Sequence, residues 1–282
     1  MGATDEADVV AAVVQLESQD QLGENLERVS DLVGRAKRLG AELALLPENF
    51  AFMGAEEERR AIAEPVAPEA GPEDGPIVSA LREIARREAI HVVAGGMPER
   101  SGDPSRPFNT SVAVAPSGKV VATYRKIHLF DVDVGDGHAY RESASTSSGE
   151  SAVTVDLAGL RVGLSVCYDL RFGELYRRLA DQGAEVLTVP AAFTLLTGKD
   201  HWHVLLRARA IECQSYVLAA AQGGSHPRGR KTFGKSCVVD PWGDVIAQAS
   251  EGPGVAVARI EKARVARIRA SLPSLAHRRS FT

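Results

Sequence analysis

Short runs of aliphatic and β-branched residues recur along this chain, and amphipathic stretches separate them, a pattern that leaves few architectures open. Residues 9–16, 41–46, 90–95, 110–115, 119–125, 152–157, 160–166, 184–189, 215–221, 235–240, 244–249 and 255–260 read as strands. Pro-Ser-Gly at 116–118 and Ala-Gly at 158–159 join two of the pairs as hairpins. Residues 25–39 place Leu26, Val29, Leu32, Val33 and Ala36 on one helical stripe that stops at Gly40. Residues 76–89, 173–183, 201–213 and 261–270 read as further helices. Strands and helices interleaved in this way argue for an α/β fold of two sheets with helices outside. No Pro/Ser-rich or charged linker divides the chain, so one domain over 8–280 is expected.

Chemistry concentrates where strands end. In LRVGLSVCYDLRFGEL, residues 160–175, Val162, Leu164 and Val166 alternate at the strand period and an amphipathic helix follows, which puts Cys167 at the turn. Unpaired N–H groups at a helix N-terminus favour a thiolate and can bind an oxyanion, so the position suits a nucleophile. The other reading is a buried structural cysteine. Glu48 follows the apolar run 43–46 and Pro47, and Lys126 follows the run 119–125. Ionisable residues at strand ends are where α/β proteins place their sites.

The segments LLPENF, YRKIHLFDVDV, CYDLRFGEL, HWHVLLRARAIE and VVDPWGDVIAQASEGPG resemble the Glu, Lys and Cys motifs and flanking segments of the nitrilase superfamily of carbon-nitrogen hydrolases. The likeness runs from Val9 to Arg279 and is nearest the Nit branch, which takes in omega-amidases and deaminated glutathione amidases; AAAQGGSH and the last two segments lean to the latter. The resemblance implies a four-layer α-β-β-α sandwich that dimerises. It also implies an amidase converting a small carboxylate-bearing amide to acid and ammonia through a thioester. A deaminated-glutathione type of substrate is preferred, with a 2-oxoglutaramate type as the alternative. From another class, a non-catalytic interaction subunit keeping the fold is the competing reading.

A primary amide needs a strong nucleophile, an oxyanion site and a proton for the departing ammonia. Glu48 can take the thiol proton, return it to the amine and later activate water. Lys126 can stabilise the oxyanion together with the N–H of Tyr168. Glu142 matches a second active-site glutamate by resemblance and is expected to orient Lys126 or water; a solvated loop acid is its alternative. Arg171 matches a carboxylate-binding arginine of related carbamoyl-amino-acid hydrolases, with a structural ion pair as the other option.

Phe193 and Thr194 follow a strand end and are expected to line the pocket, as is Leu195. The loop 225–231, with His226, Arg228, Arg230 and Lys231, suggests anion recognition or an ordinary solvated loop. Asp169 reads as structural. His128 shares a strand face with Lys126 and raises a Cys-His protease reading, which leaves Glu48 and Lys126 without a role. His201 and His203 are two apart at a helix start, the wrong spacing for a shared metal, and no metal is expected. Cys213 and Cys237 read as small core residues.

GGSHPRGRK lacks the strand and spacing of a phosphate loop, so no cofactor is expected. A net charge of -4 and a pI near 6.0 give no reason to expect nucleic acid or an anionic membrane as partner. Substrate, water and a second copy of the chain are the expected partners. The acidic start MGATDEADVV lacks a signal-peptide pattern, and three cysteines do not make a disulfide framework, so the cytoplasm is expected. Asn109-Thr110-Ser111 matches a glycosylation pattern that this location makes accidental.

Overall fold

The first strand, β1 (Val9–Gln15), carries Ala11 and Val13 on one face and Ala12 and Val14 on the other, and all four are fully buried. A strand apolar on both faces needs a covering layer on each side. The structure, a computed structural model, describes residues 8–279 apart from 134 and 136–138. The segment 1–7, Val134 of the lysine motif, His138 and the expected boundary at 280 lie outside the described residues.

After β1 come α1 (Leu22–Arg38), β2 (Leu43–Leu46), α2 (Glu56–Ala61), α3 (Pro76–Glu88), β3 (His91–Glu99), β4 (Phe108–Val114) and β5 (Val120–Arg125). A small hairpin of β6 (Asp131–Asp133) and β7 (Ala139–Arg141) precedes β8 (Thr154–Leu157), β9 (Leu160–Gly163), α4 (Gly173–Asp181), β10 (Val186–Ala191) and α5 (Leu195–Cys213). Then follow β11 (Tyr216–Ala221), a hairpin of β12 (Gly223–Ser225) and β13 (Lys231–Phe233), β14 (Cys237–Val239), β15 (Val245–Gln248), β16 (Gly254–Ile260) and α6 (Lys262–Ser271).

Two six-stranded sheets result, ordered β16-β1-β2-β3-β4-β5 and β15-β14-β11-β10-β9-β8. Each has three parallel strands at its centre and antiparallel strands outside them. Ala11, Val13, Leu43, Leu45 and Val93 form one core with Val162 and Val186 of the other sheet. The alternate residues Ala12, Val14, Ala44, Leu46 and Val92 pack on Val29 and Val33 of α1 and Ile77 and Leu81 of α3 in a second. On the far side Leu175 and Leu179 of α4 and Trp202 and Leu206 of α5 close the second sheet. The order of layers is therefore α-β-β-α, as expected.

The seam between the sheets is tightest at Gly95, where an added Cβ would lie 1.9 Å from the Cβ of Pro190. Its neighbour Gly96 has φ +70°, and a Cβ there would lie 2.6 Å from Cγ of Glu48. The pair forms a bulge in β3, where the register with β4 shifts between Ala94 and Met97.

Helix α5 starts six residues earlier than its sequence suggests, because Gly198 is there for space: a Cβ would meet Cβ of Phe233 at 2.3 Å. The short helix α2 and the two small hairpins have too few residues to show a period. Among the described residues no helix is long and apolar enough to cross a membrane.

Candidate active site

Cys167 leaves the second sheet through Val166 and takes φ +49°, a left-handed conformation that costs about 1–2 kcal/mol for a residue with a Cβ. Asp169, fully buried, holds this turn: its Oδ2 accepts from the N–H of Val166 at 2.9 Å and from the hydroxyl of Tyr124 at 2.7 Å. Its Oδ1 accepts from the N–H of His128 at 3.0 Å and sits 2.7 Å from Nδ1 of that ring. Asp169 is structural, as expected, and it fastens the nucleophile turn of one sheet to the chain just beyond Lys126 of the other. His128 stacks on Phe172 at 3.7 Å between ring centroids and does not line the cavity.

The turn is a five-residue 3-10 helix, Cys167–Arg171, and α4 begins only at Gly173. The helix start at Gly173 and the place of Cys167 in the turn are as expected; what is corrected is the expectation that a helix N-terminus there favours a thiolate. Burial and the neighbouring Glu48 carboxylate push the Cys167 thiol well above its ordinary value, against the pull of the Lys126 ammonium and the Ala192 N–H.

Glu48 and Lys126 meet beside the thiol. Lys126 Nζ lies 3.0 Å from Glu48 Oε1 and 2.8 Å from Glu142 Oε2, and its side chain is 2% exposed. The N–H of Ala192 donates to Glu48 Oε2 at 3.1 Å. Burial would raise the Glu48 pKa, but the Lys126 ammonium and hydrogen bonds from the Cys167 thiol and Lys126 lower it overall. Burial would likewise disfavour charge on Lys126, and Glu142 and Glu48 reverse that and raise its pKa. The resting site is therefore a protonated thiol beside a carboxylate, with an ammonium against that carboxylate.

Glu142 is no solvated loop acid: besides Lys126 it accepts from the N–H of Phe130 at 2.7 Å and from Asn109 Nδ2 at 3.0 Å. Asn109 is the residue sequence reasoning missed. Its amide also donates to Glu48 Oε1 at 3.0 Å, so one side chain spans both glutamates. Its place at the start of β4, opposite the end of β5 that carries Lys126, was the available signal.

These groups open into a cavity of about 330 Å³ whose wall includes Tyr168, Arg171, Phe193 and Thr194. Arg171 has no acid partner among the described residues; its guanidinium lies over Phe193 and Tyr168 and 3.3 Å from His201 Nδ1. The ion-pair alternative for it falls. Thr194 caps α5 by accepting from the N–H of Thr197 at 3.4 Å. Leu195 begins α5, is 48% exposed and does not line the cavity, a correction.

The basic loop contributes less than its composition suggests. Arg230 alone of its cations lines the cavity; Arg228, at φ +63°, and Lys231 are exposed, and His226 is buried between the Ser18 carbonyl and Thr232. His203 faces Gln248 at 2.7 Å, away from His201 and its arginine. Cys213 and Cys237 are fully buried core residues whose thiols burial pushes up to about 12.

This charge pattern fixes a pH profile for the free enzyme. Glu48 holds its charge below the ordinary carboxylate value of 4.5, so its ion pair with Lys126 stabilises the fold above that pH and is lost only as pH falls further. kcat/KM is expected to decline in acid only below 4.5, and in alkali only above the ordinary thiol value of 9.0. A midpoint near about 6.5 would assign the base to a histidine instead.

A family model for carbon-nitrogen hydrolases matches residues 10–270, and the chain belongs to that family. It is a hydrolase of carbon-nitrogen bonds. A deaminated glutathione amidase of Synechocystis sp. is 46% identical over 273 residues, covering 95% of this chain and 97% of the relative. The NitFhit protein of C. elegans, solved by crystallography, superposes with a TM-score of 0.89 at 38% identity over 98% of this chain and 66% of its own. Saccharomyces cerevisiae Nit3, a member of branch 10 of the nitrilase superfamily, does so with 0.85 at 30% identity over 97% of each chain.

Proposed function

We propose that the chain is an amidase for a small carboxylate-bearing amide, with a deaminated-glutathione type of substrate, acting through a thioester on Cys167. The observation that carries this reading is the buried ion pair of Lys126 with Glu48, 3.0 Å long, beside Cys167 in a cavity whose wall carries arginines with no acid partner among the described residues. The curated relative's name supports the substrate class.

Attack by sulfur on the amide carbon passes the thiol proton to Glu48 as the carbonyl becomes an oxyanion, which Lys126 and the Tyr168 N–H stabilise. Collapse breaks the carbon-nitrogen bond, and Glu48 returns the proton to the leaving amine, which is a dipeptide for a deaminated-glutathione type of substrate and ammonia only for a 2-oxoglutaramate type. Water, deprotonated by Glu48, then cleaves the thioester to the acid and restores the thiol. Glu142 and Asn109 hold Lys126 and Glu48 in place. Arg171, Arg230, Phe193 and Thr194 bind the substrate.

The test is a panel: deaminated glutathione, 2-oxoglutaramate and a neutral amide without a carboxylate, each followed by acid release. Deaminated glutathione is expected to give the highest kcat/KM, and the neutral amide about tenfold to a hundredfold less. Preference for 2-oxoglutaramate would make the chain an omega-amidase, and hydrolysis of none would make it a non-catalytic subunit.

The same reading includes a homodimer in a reducing compartment, the cytoplasm. Val204 and Ile211, seven apart on one face of α5, are 66% and 49% exposed, and Trp242 nearby is 55% exposed, which supports pairing with a second copy. Three free cysteines, with no disulfide among them, support the compartment. A monomeric mass by sedimentation at micromolar concentration would overturn the dimer.

A further inference from the structure

Buried arginines elsewhere in this molecule are fully compensated. Arg82, 1% exposed, meets Asp74 at 2.9 Å and donates to the carbonyls of Pro68, Gly118, Ala67 and Glu69. Arg209, 8% exposed, pairs with Glu212 at 2.7 Å. Arg59 is as buried as Arg209, at 8%, yet it has no acid partner among the described residues. Among the described residues its one side-chain hydrogen bond is a long one, 3.4 Å from Nη1 to Thr146 Oγ1, and its buried Nη2 has no partner. Glu56, one turn earlier on α2, takes Ser145 Oγ at 3.1 Å instead and makes no ion pair with Arg59. An uncompensated buried guanidinium is costly, and among the described residues no acid offsets this one.

Arg59 lines the cavity that holds Cys167. It belongs to a different wall from Arg230: Arg59 stands with α2, Ser145 and Thr146, while Arg230 lies over Tyr140, donates to the Ala192 carbonyl at 3.4 Å and adds to the charges acting on Glu48. The cavity thus offers one arginine beside the catalytic carboxylate and another bound to none of the catalytic groups.

We propose that Arg59 is a specificity-determining residue that binds a carboxylate on the leaving-amine half of the substrate, remote from the scissile bond. The proposal rests on the amidase reading above. An amide of 2-oxoglutarate with a glycine-ended dipeptide presents two carboxylates, one at the far end of the acyl half and one at the far end of the amine half. Arg230 and Arg171 serve the first and Arg59 the second. A planar fork with a free Nη2 meets a carboxylate with two hydrogen bonds and supplies its missing counter-charge.

The test compares an amide whose amine half ends in a glycine carboxylate with the same compound ending in glycinamide, on wild type, Arg59→Met and Arg59→Lys. Wild type is expected to prefer the carboxylate by about tenfold to a hundredfold in kcat/KM, mainly through KM. Arg59→Met should lose that preference while hydrolysing the glycinamide compound and 2-oxoglutaramate as wild type does, and Arg59→Lys should keep part of it. Preference retained in Arg59→Met, or equal losses on all three compounds, would overturn the proposal. So would a loss falling on 2-oxoglutaramate, which would move Arg59 to the acyl carboxylate.

Should Arg59→Met fail to fold, wild type still decides: a glycine-ended dipeptide must inhibit it about tenfold or more better than its amide, and equal inhibition refutes the assignment. Absence of hydrolysis of every compound by wild type is a different result, and it would remove the amidase reading itself.

Discussion

Cys167→Ala is expected to abolish amide hydrolysis, a loss on the order of 10⁴-fold or more, while the fold stays intact. The substitution removes one sulfur from a site that is 8% exposed, and alanine has no more difficulty than cysteine with the left-handed backbone there, since both carry a Cβ. Stability should therefore change little. Cys213→Ala and Cys237→Ala make the opposite case: each opens a small gap in the core at a cost of about 1 kcal/mol, yet neither approaches the reacting atoms, and both should keep activity. Turnover and thermal midpoints for the three variants separate chemistry from packing. Substantial hydrolysis by Cys167→Ala would remove the thioester mechanism.

Glu48→Gln is expected to lower kcat by about 10²- to 10⁴-fold, because the amide can neither accept the thiol proton nor return it to the amine. Loss of activity alone would not separate a proton acceptor from a residue that merely holds Lys126. The thiol itself does. Glu48 is one of the charges that push the Cys167 thiol up, so its neutralisation leaves Lys126 to pull the thiol pKa down. Alkylation of Cys167 by iodoacetamide should therefore reach its half-maximal rate at lower pH in Glu48→Gln than in wild type, even as amide hydrolysis collapses. An alkylation profile shifted upward or unmoved would contradict the resting charges described above.

Glu48, Lys126 and Cys167 were legible in the sequence because each follows an apolar strand, where a buried ionisable residue stands out against its neighbours. Asn109 was not, since an asparagine opening a strand next to Thr110 and Ser111 looks like any polar strand start. Only pairing of β4 with β5 brings it between two glutamates 94 residues apart in sequence, Glu48 and Glu142. Arg59 was hidden for a different reason: α2 spans six residues, too short for a hydrophobic period to show which side faces inward. The basic loop failed in the opposite direction. Charge can be counted along a loop, but direction cannot, and the turn through Arg228 at φ +63° sends its neighbours to different sides. The strand and helix order was read nearly throughout, because layers buried on both sides demand apolar residues at every position.

The seam between the sheets has a consequence for how this enzyme can fail. Glu48 and Lys126 follow strands of one sheet, and Cys167 follows a strand of the other. Glu48 and the sulfur become neighbours only when the two sheets dock. A displacement of about 1 Å between them, too small to change the content of strand or helix, is enough to uncouple proton transfer from attack. Catalysis is thus a gauge of quaternary-like docking inside a single chain, and it should fade under mild heating or denaturant while the circular dichroism of the intact layers persists.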